Sequence, residues 1–321
     1  MRLLHTLLHT FIVAVVLTIL ACDEKPTLNE ELGYAKCDKL LIIHADDAGL
    51  HPDATDATLR AMKEGVVTSA SIMVPCADFD RTIRIWKANP DLDFGIHVTL
   101  TCEYGKEFPW HPVLSKDEVP SLYSPEGYMW PDPETLIKQG KRDEMIKEVT
   151  AQIHKVLNTG MRPSHLDSHQ SSYFTDELLF SEILVLAQKF QIPVLPSYTK
   201  RHRVPFMPNN LLKLKKDGFV FPNTFSGYTR IPGEQSDSTV RFNTYRSYLM
   251  GLDHGVHELI THVAFSTPEM TGILGDLNMN RRAADYHFWT APETARLIRE
   301  QGIILISYQQ LDSLQRQKWK R

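Results

Sequence analysis

The amino-acid sequence predicts a single α/β domain folded as a (β/α) barrel. From Lys39 onward, short runs rich in leucine, isoleucine and valine alternate with segments whose apolar residues recur at helical spacing. Regular strand–helix–strand alternation of this kind produces parallel strands joined by right-handed crossovers. A count of roughly seven strands predicts a seven-stranded barrel, or a distorted form of the eight-stranded TIM barrel.

The first elements of the predicted barrel are the most regular. The first strand is a continuous apolar run typical of a buried strand, and Gly65 ends the helix that follows it. The next helix carries Phe79, Ile83 and Trp86 on one face and stops before Pro90. These predicted elements are a strand at 40–43, a helix at 53–64, a strand at 70–74, a helix around 79–86 and a strand at 94–100.

A long segment at 101–133 interrupts this alternation and is rich in proline, glycine and aromatic residues. Loops of this length usually form lids or binding loops, or are disordered. Beyond it, Met145, Val149 and Ile153 recur at helical spacing and the alternation resumes. The later predicted elements are helices at 141–157, 176–190, 239–250 and 292–301, strands at 165–169, 192–195, 256–263 and 303–306, and a short terminal helix.

The N-terminal segment is predicted to be a targeting sequence outside the barrel. Arg2 precedes an apolar run at 11–20, which is too short for a membrane span and has the length of a signal-peptide core. The run ends in Ile19-Leu20-Ala21-Cys22, which resembles a bacterial lipobox and makes Cys22 the expected lipidation site. A plain signal peptide is the alternative.

The predicted domains are a signal peptide at 1–21, a tether at 22–38 and the barrel at 39–321. We therefore expect an exported protein that is membrane-anchored through its lipid alone, in the periplasm or at the cell surface.

The composition gives no indication of a nucleic-acid partner. The chain has 35 lysines and arginines against 39 aspartates and glutamates, a formal net charge of −4. Cys37, Cys76 and Cys102 show no paired spacing and are too few for a disulfide scaffold, so they are interpreted as packing residues. The oligomeric state is left open, a homodimer included.

Polar residues with metal-ligand chemistry occur at three predicted strand ends. Asp46 and Asp47 follow the first strand, His97 lies within the third and His169 follows the fourth. Two imidazoles and a carboxylate suit a divalent metal, and a second carboxylate suits a general base. Taken singly, adjacent aspartates often cap a helix, and a lone histidine is more often a hydrogen-bonded core residue. Their joint placement at strand ends favours a site.

At these positions the sequence resembles the YdjC-like carbohydrate deacetylases, which include chitooligosaccharide deacetylases of the NodB/YdjC type. The resemblance runs in order from Leu40 to Leu311 and rests on several motifs. They read His44-Ala45-Asp46-Asp47-Ala48-Gly49, Glu64-Gly65-Val66-Val67-Thr68-Ser69-Ala70-Ser71, Gly95-Ile96-His97-Val98-Thr99-Leu100, Ser164-His165-Leu166-Asp167-Ser168-His169-Gln170 and Glu258-Leu259-Ile260-Thr261-His262.

The resemblance implies an enzyme that removes N-acetyl groups from amino sugars or short oligosaccharides with a divalent metal, magnesium or zinc. It makes Asp47, His97 and His169 the expected metal ligands, Asp46 the catalytic base and His262 the candidate general acid. The chain departs from the family pattern around these residues. His44 replaces an asparagine, Ala48 replaces a phenylalanine, and Gln170-Ser171-Ser172 and Val263-Ala264 replace other family residues.

Four residues are expected to contact the substrate. His44 would bring an additional imidazole within reach of the site, and Trp110 and Trp130 suit stacking on sugar faces, with loop packing as an equal alternative. Arg281 is a candidate for recognising phosphate, although its pair with Arg282 is better interpreted as the solvated start of a helix.

Two other functions compete with a deacetylase. A glycosidase on a similar barrel needs two carboxylates separated across the scissile bond, and neighbouring Asp46 and Asp47 suit this badly. A non-catalytic glycan-binding lipoprotein would have no need of the base.

Overall fold

The computed structural model describes residues 25–195, 213–226 and 237–320. These residues form one parallel β-sheet flanked by helices. The strands are β1 (Lys39–Ala48), β2 (Ser69–Met73), β3 (Phe94–Val98), β4 (Leu166–Ser168), β5 (Thr224–Ser226), β6 (Gly255–Thr261) and β7 (Ile303–Leu305). Each strand pairing within the sheet is parallel, as the alternation of strands and helices predicts.

The sheet is a half-barrel in the described residues. Its strand order is β4-β3-β2-β1-β6-β5, and β7 pairs separately with the first residues of β1. No pairing joins β4 to β5 within the described part of the chain, so the predicted seven-stranded barrel is not confirmed. Beyond β4, Val194 makes a single parallel bridge to Leu166 where a full strand was predicted at 192–195.

The helices lie where the apolar periodicity predicts them, with a few additions. Their bounds are α1 (Leu28–Glu31), α2 (Pro52–Glu64), α3 (Phe79–Ala88), α4 (Pro133–Gln139), α5 (Arg142–Leu157), α6 (Glu177–Phe190), α7 (Ser238–Met250), α8 (Pro268–Thr290), α9 (Pro292–Glu300) and α10 (Tyr308–Trp319). Several begin with a side-chain cap and proline in the first turn, as in α2 after His51 and α8 after Thr267.

The centre of the fold is β1. Nine of its ten residues are buried, because β6 pairs along one edge while β7 and β2 share the other. Gly95 of β3 lets His165 pack against the strand: a Cβ built at Gly95 would lie 2.4 Å from the His165 ring. The interior of the sheet therefore holds polar rings as well as aliphatic side chains.

Two predicted features of the N-terminus, the signal peptide at 1–21 and the lipidation site Cys22, lie outside the described residues. Within the predicted tether, α1 begins at a capping box formed by Thr27 and Glu30, and Leu28, Leu32 and Tyr34 pack against the core. In the described ranges, no helix has the length and apolar character needed to cross a membrane. Cys37, Cys76 and Cys102 are free thiols, the last two buried.

Candidate active site

The carboxyl ends of β1, β3, β4 and β6 bring the predicted site residues together. Asp46 and Asp47 lie at the end of β1, His97 is in β3, His169 follows β4 and His262 follows β6. In a parallel sheet these ends share one edge, which is where α/β folds place their functional groups. All of these side chains except His262 are at least nine-tenths buried as residues.

Asp47, His97 and His169 direct three donor atoms at one point. Asp47 Oδ1 lies 3.3 Å from His97 Nε2 and 3.5 Å from His169 Nδ1, and the two ring nitrogens are 3.2 Å apart. Asp47 Oδ1 is buried and accepts no hydrogen bond from the described residues. An orphaned carboxylate oxygen facing two imidazole nitrogens fits a divalent cation with open positions for other ligands.

A carboxylate orients the His97 ring from behind. His97 Nδ1 lies 3.0 Å from Asp167 Oδ2, which also accepts a hydrogen bond of 2.9 Å from Ser71 Oγ. When His97 Nδ1–H donates a hydrogen bond to Asp167, the lone pair on His97 Nε2 faces Asp47. Metal-binding histidines commonly have such a partner, because it fixes the tautomer and the ring orientation.

The long loop after β3 supplies the same support to His169. Glu103 Oε2 lies 2.8 Å from His169 Nε2, which leaves Nδ1 directed at the site. Burial alone would lower the pKa of His169, but the Glu103 and Asp47 carboxylates raise it to about 9. Binding a metal at Nδ1 would therefore displace a proton.

Arg282 of α8 holds the second oxygen of Asp47. Its guanidinium donates a hydrogen bond of 2.6 Å to Asp47 Oδ2, and both side chains are buried. Burial would raise the pKa of Asp47, but Arg282, His169 and His97 hold it well below its usual range. Asp47 also has a backbone φ of 69°, an unusual left-handed conformation for a residue other than glycine.

Asp46 lies between two imidazoles. Its Oδ2 is 3.6 Å from His262 Nε2, and its Oδ1 is 3.1 Å from His44 Nε2. His262 Nε2 also lies 3.9 Å from Asp47 Oδ2, so this ring faces both aspartates. Burial lowers the pKa of His262, with Arg282 adding to the effect and the carboxylates opposing it. The His262 side chain is 20% exposed, which leaves it accessible from the site.

His44 lies behind the aspartates rather than against a substrate. Its ring has no exposed surface and lies 3.2 Å from three other polar atoms, Ser69 Oγ, Ser71 Oγ and Asp167 Oδ2. Burial would lower the pKa of His44, but Asp167 and Asp46 raise it to about 10. The expected substrate contact by His44 is therefore corrected to a buried contact with two carboxylates.

Trp110 and Trp130, the two residues predicted to stack on sugar faces, are packed into the protein. Trp110 is 3% exposed, donates from Nε1 to Thr101 O at 2.7 Å and has its ring centroid 6.1 Å from that of His169. Trp130 is partly buried against the main core and donates to Ser121 O. In this structure both rings have the loop-packing role that the sequence left as the alternative to sugar stacking.

The arginine pair near the site is divided between two environments. Arg281 is half-buried, whereas Arg282 is buried and bound to Asp47, so the interpretation of the pair as a solvated helix start is wrong for Arg282. Both lie well inside α8. No strand-end motif pointed to Arg282 or Glu103, because Arg282 is on a helix and Glu103 is in a long loop.

Comparison with known protein families decides the family of the chain. The family model of the YdjC-like proteins matches residues 40–300. This range contains all the site residues described above. It covers β1, apart from its first residue, through β6, and it ends before β7. The chain belongs to the YdjC-like family. The match agrees with the resemblance seen in the strand-end motifs.

Curated relatives match this YdjC-like chain over nearly their whole length. A carbohydrate deacetylase from Enterococcus faecalis is 28% identical over 85% of this chain and 98% of its own length. Another from Brevibacillus brevis is 28% identical over 84% of this chain and 99% of its own. A solved Enterococcus faecalis structure, named for cellobiose-phosphate cleavage, is 27% identical with a TM-score of 0.71, covering 85% of this chain and 99% of that one.

Proposed function

We propose that this YdjC-like protein is a metal-dependent hydrolase that removes N-acetyl groups from amino sugars or short oligosaccharides. The observation that carries the proposal is the triangle of Asp47 Oδ1, His97 Nε2 and His169 Nδ1, with sides of 3.2 to 3.5 Å. Asp46 and His262 flank it, and both are groups that can move protons. The names of the curated relatives support the same reaction.

The residues of the triangle fit magnesium or zinc as the cofactor, and the imidazole pair favours zinc. A divalent cation held there would make water a better nucleophile and polarise the acetamide carbonyl. The protein prepares its ligands in advance: Asp167 and Glu103 fix the two rings, and Arg282 holds Asp47 so that one oxygen faces the site.

Asp46 is proposed as the base and His262 as the acid. As the water oxygen bonds to the carbonyl carbon, Asp46 Oδ2 accepts the water proton. When the C–N bond breaks, the sugar amine leaves with a proton donated from His262 Nε2, and acetate is released. Burial lowers the pKa of His262, so its protonated ring is a stronger acid than an exposed histidine.

Unphosphorylated sugars are the proposed substrates. Loops after β1, β2, β3 and β6 form a cleft of about 660 Å³ at the carboxyl end of the sheet. The described residues that line it include no lysine or arginine, and they do not include Asp47, His97 or His169. Three carboxylates line it instead, those of Asp53, Asp78 and Glu269. Phosphate sites usually need cationic side chains or helix N-termini aimed at the ligand. The starts of α2 and α8 do line this cleft, but Asp53 and Glu269 place carboxylates in their first turns. Arg282 is already engaged by Asp47. Export and a lipid anchor at Cys22, which remain proposals, would also bring the enzyme to extracellular glycans.

The test is acetate release from N-acetylglucosamine oligomers and from their phosphorylated forms, using metal-stripped protein and the same protein reloaded with zinc or magnesium. We expect release only after reloading, with unphosphorylated oligomers preferred. A strong preference for phosphorylated sugars would contradict the substrate assignment. Equal rates from stripped and reloaded protein would contradict the metal-dependent mechanism.

A further inference from the structure

His44 fills the space between two carboxylates that come from different strands. Its Nε2 lies 3.1 Å from Asp46 Oδ1 of β1 and 3.2 Å from Asp167 Oδ2 of β4, while Nδ1 lies 3.2 Å from Ser69 Oγ of β2. The His165 ring, 4.8 Å away edge-on, and the Tyr308 ring, at 5.5 Å, pack against the imidazole. The position of the ring is therefore fixed on all sides.

The same carboxylates are also arranged to hold a cation. Asp46, Asp167 and His97 each offer a ligand atom, and these atoms lie within 4.8 Å of one another. All three side chains are buried, so facing carboxylates there need a positive or hydrogen-bonding partner. His44 Nε2 hydrogen-bonds Asp167 Oδ2 at 3.2 Å and lies 3.1 Å from Asp46 Oδ1, which accepts no hydrogen bond from the described residues. The imidazole therefore faces both carboxylates, as a hydrogen-bond partner of Asp167 and as a charge partner of Asp46.

We propose that His44 is a positioning residue that takes the place of a second metal ion between Asp46 and Asp167. It holds two carboxylates in place: Asp46, which is the proposed base, and Asp167, which orients the His97 ring. A single imidazole thus fixes the position of the base relative to the metal ligand His97, and it leaves room for only one metal ion at the centre. The inference rests on the proposed function, in which Asp46 is the base and His97 a ligand.

The test compares bound zinc per chain and the kinetics of acetate release in the full-length wild type, His44→Ala and His44→Gln. We expect one zinc in the wild type and a second in His44→Ala, where the space beside Asp46 and Asp167 is open to a cation. In the same variant kcat should fall by about tenfold or more with little change in KM, because the base is no longer held. His44→Gln keeps an N–H donor of similar reach and should restore one zinc and part of kcat.

His257→Asn provides a matched control, because this buried β6 histidine bonds Thr224 and the Asp253 carbonyl away from the site. It should leave zinc content and kcat unchanged. If His44→Ala does not fold, His44→Ser replaces it, since the short hydroxyl cannot span both carboxylates. A single zinc in the folded Ala or Ser variant would overturn the inference, as would a Gln variant that behaves like Ala.

The two proposals fail in different ways. A wild type that binds no zinc and releases no acetate would overturn the proposed function and, with it, the role of His44. A wild type with one zinc and normal turnover, matched in both respects by His44→Ala, would overturn the role of His44 alone.

Discussion

Asp46 and Asp47 are neighbours in sequence but have different surroundings. Asp47 directs Oδ1 at His97 and His169 and gives Oδ2 to Arg282, whereas Asp46 lies between His44 and His262. The left-handed backbone of Asp47 lets consecutive carboxylates occupy these separate environments. The resemblance to the family implied a base at Asp46 and a metal ligand at Asp47, and these two roles stay predictions. The motifs could not predict Arg282, because its partner is 235 residues away in the chain.

Replacing each aspartate with asparagine should separate the base from the ligand. Asp46→Asn keeps the side-chain size but cannot accept a proton, so metal content should persist while turnover falls about a hundredfold or more. Asp47→Asn should lose metal as well, because the ligand oxygen loses its charge. The measurements are metal content and acetate release on the same samples. Identical behaviour of the two variants would refute the division.

At the scale of elements, β1 to β4 and most helices were predictable because their apolar residues follow clear periods. The first half of helix α8 was not predicted, since the start of a helix was placed at Arg281-Arg282 instead of Pro268. The buried residues of α8 do not form one stripe, and Gly275 interrupts the helix with a φ of 74°. Yet α8 supplies Arg282 to Asp47, and it supplies Asp285, which accepts from Thr261 Oγ1 at 3.0 Å beside His262. The three-residue strand β5 was also missed, because Thr224-Phe225-Ser226 contains a single apolar residue, whereas β7, of equal length, is the apolar run Ile303-Ile304-Leu305.

The long loop after β3 should contribute to metal binding through Glu103. Glu103→Gln removes the charge that faces His169 Nε2–H, so metal affinity should fall by roughly ten- to a hundredfold while the fold is kept. Glu107→Gln, at an exposed position in the same loop, is the control and should bind metal as the wild type does. Calorimetric titration of metal-stripped protein provides the measurement, and equal affinity in both variants would exclude a role for the loop.

For the whole molecule, the sequence predicted a parallel α/β fold but not the half-barrel that the described strands form. Pattern reasoning counts strands, whereas closure depends on pairings between distant edges such as β4 and β5. It also missed how polar the interior is, because Glu258, Tyr308, His44 and His165 sit in runs that otherwise indicate a core. Tyr308 donates a short hydrogen bond to Glu258 within this interior.

Glu258 should make folding stability depend on pH. Burial raises its pKa from 4.5 to about 7, so the native state favours the protonated form. Its contribution is complete below pH 4.5 and is lost as the pH rises through 7. Relative to Glu258→Gln, the wild type should lose on the order of 3 kcal/mol of unfolding free energy across that window. Denaturant unfolding of both proteins at several pH values measures this, and parallel pH profiles would contradict it.

The measurement that tests the central claim most directly is bound metal and acetate release in the wild type, His97→Ala and His169→Ala, with His154→Ala as an exposed control on α5. Each of the first two changes removes one of the three donor atoms of the triangle, so both variants should lose most of their metal and, with it, their turnover. The control should match the wild type in both respects. Full metal occupancy in His97→Ala and His169→Ala, or acetate release that persists without metal, would contradict the account.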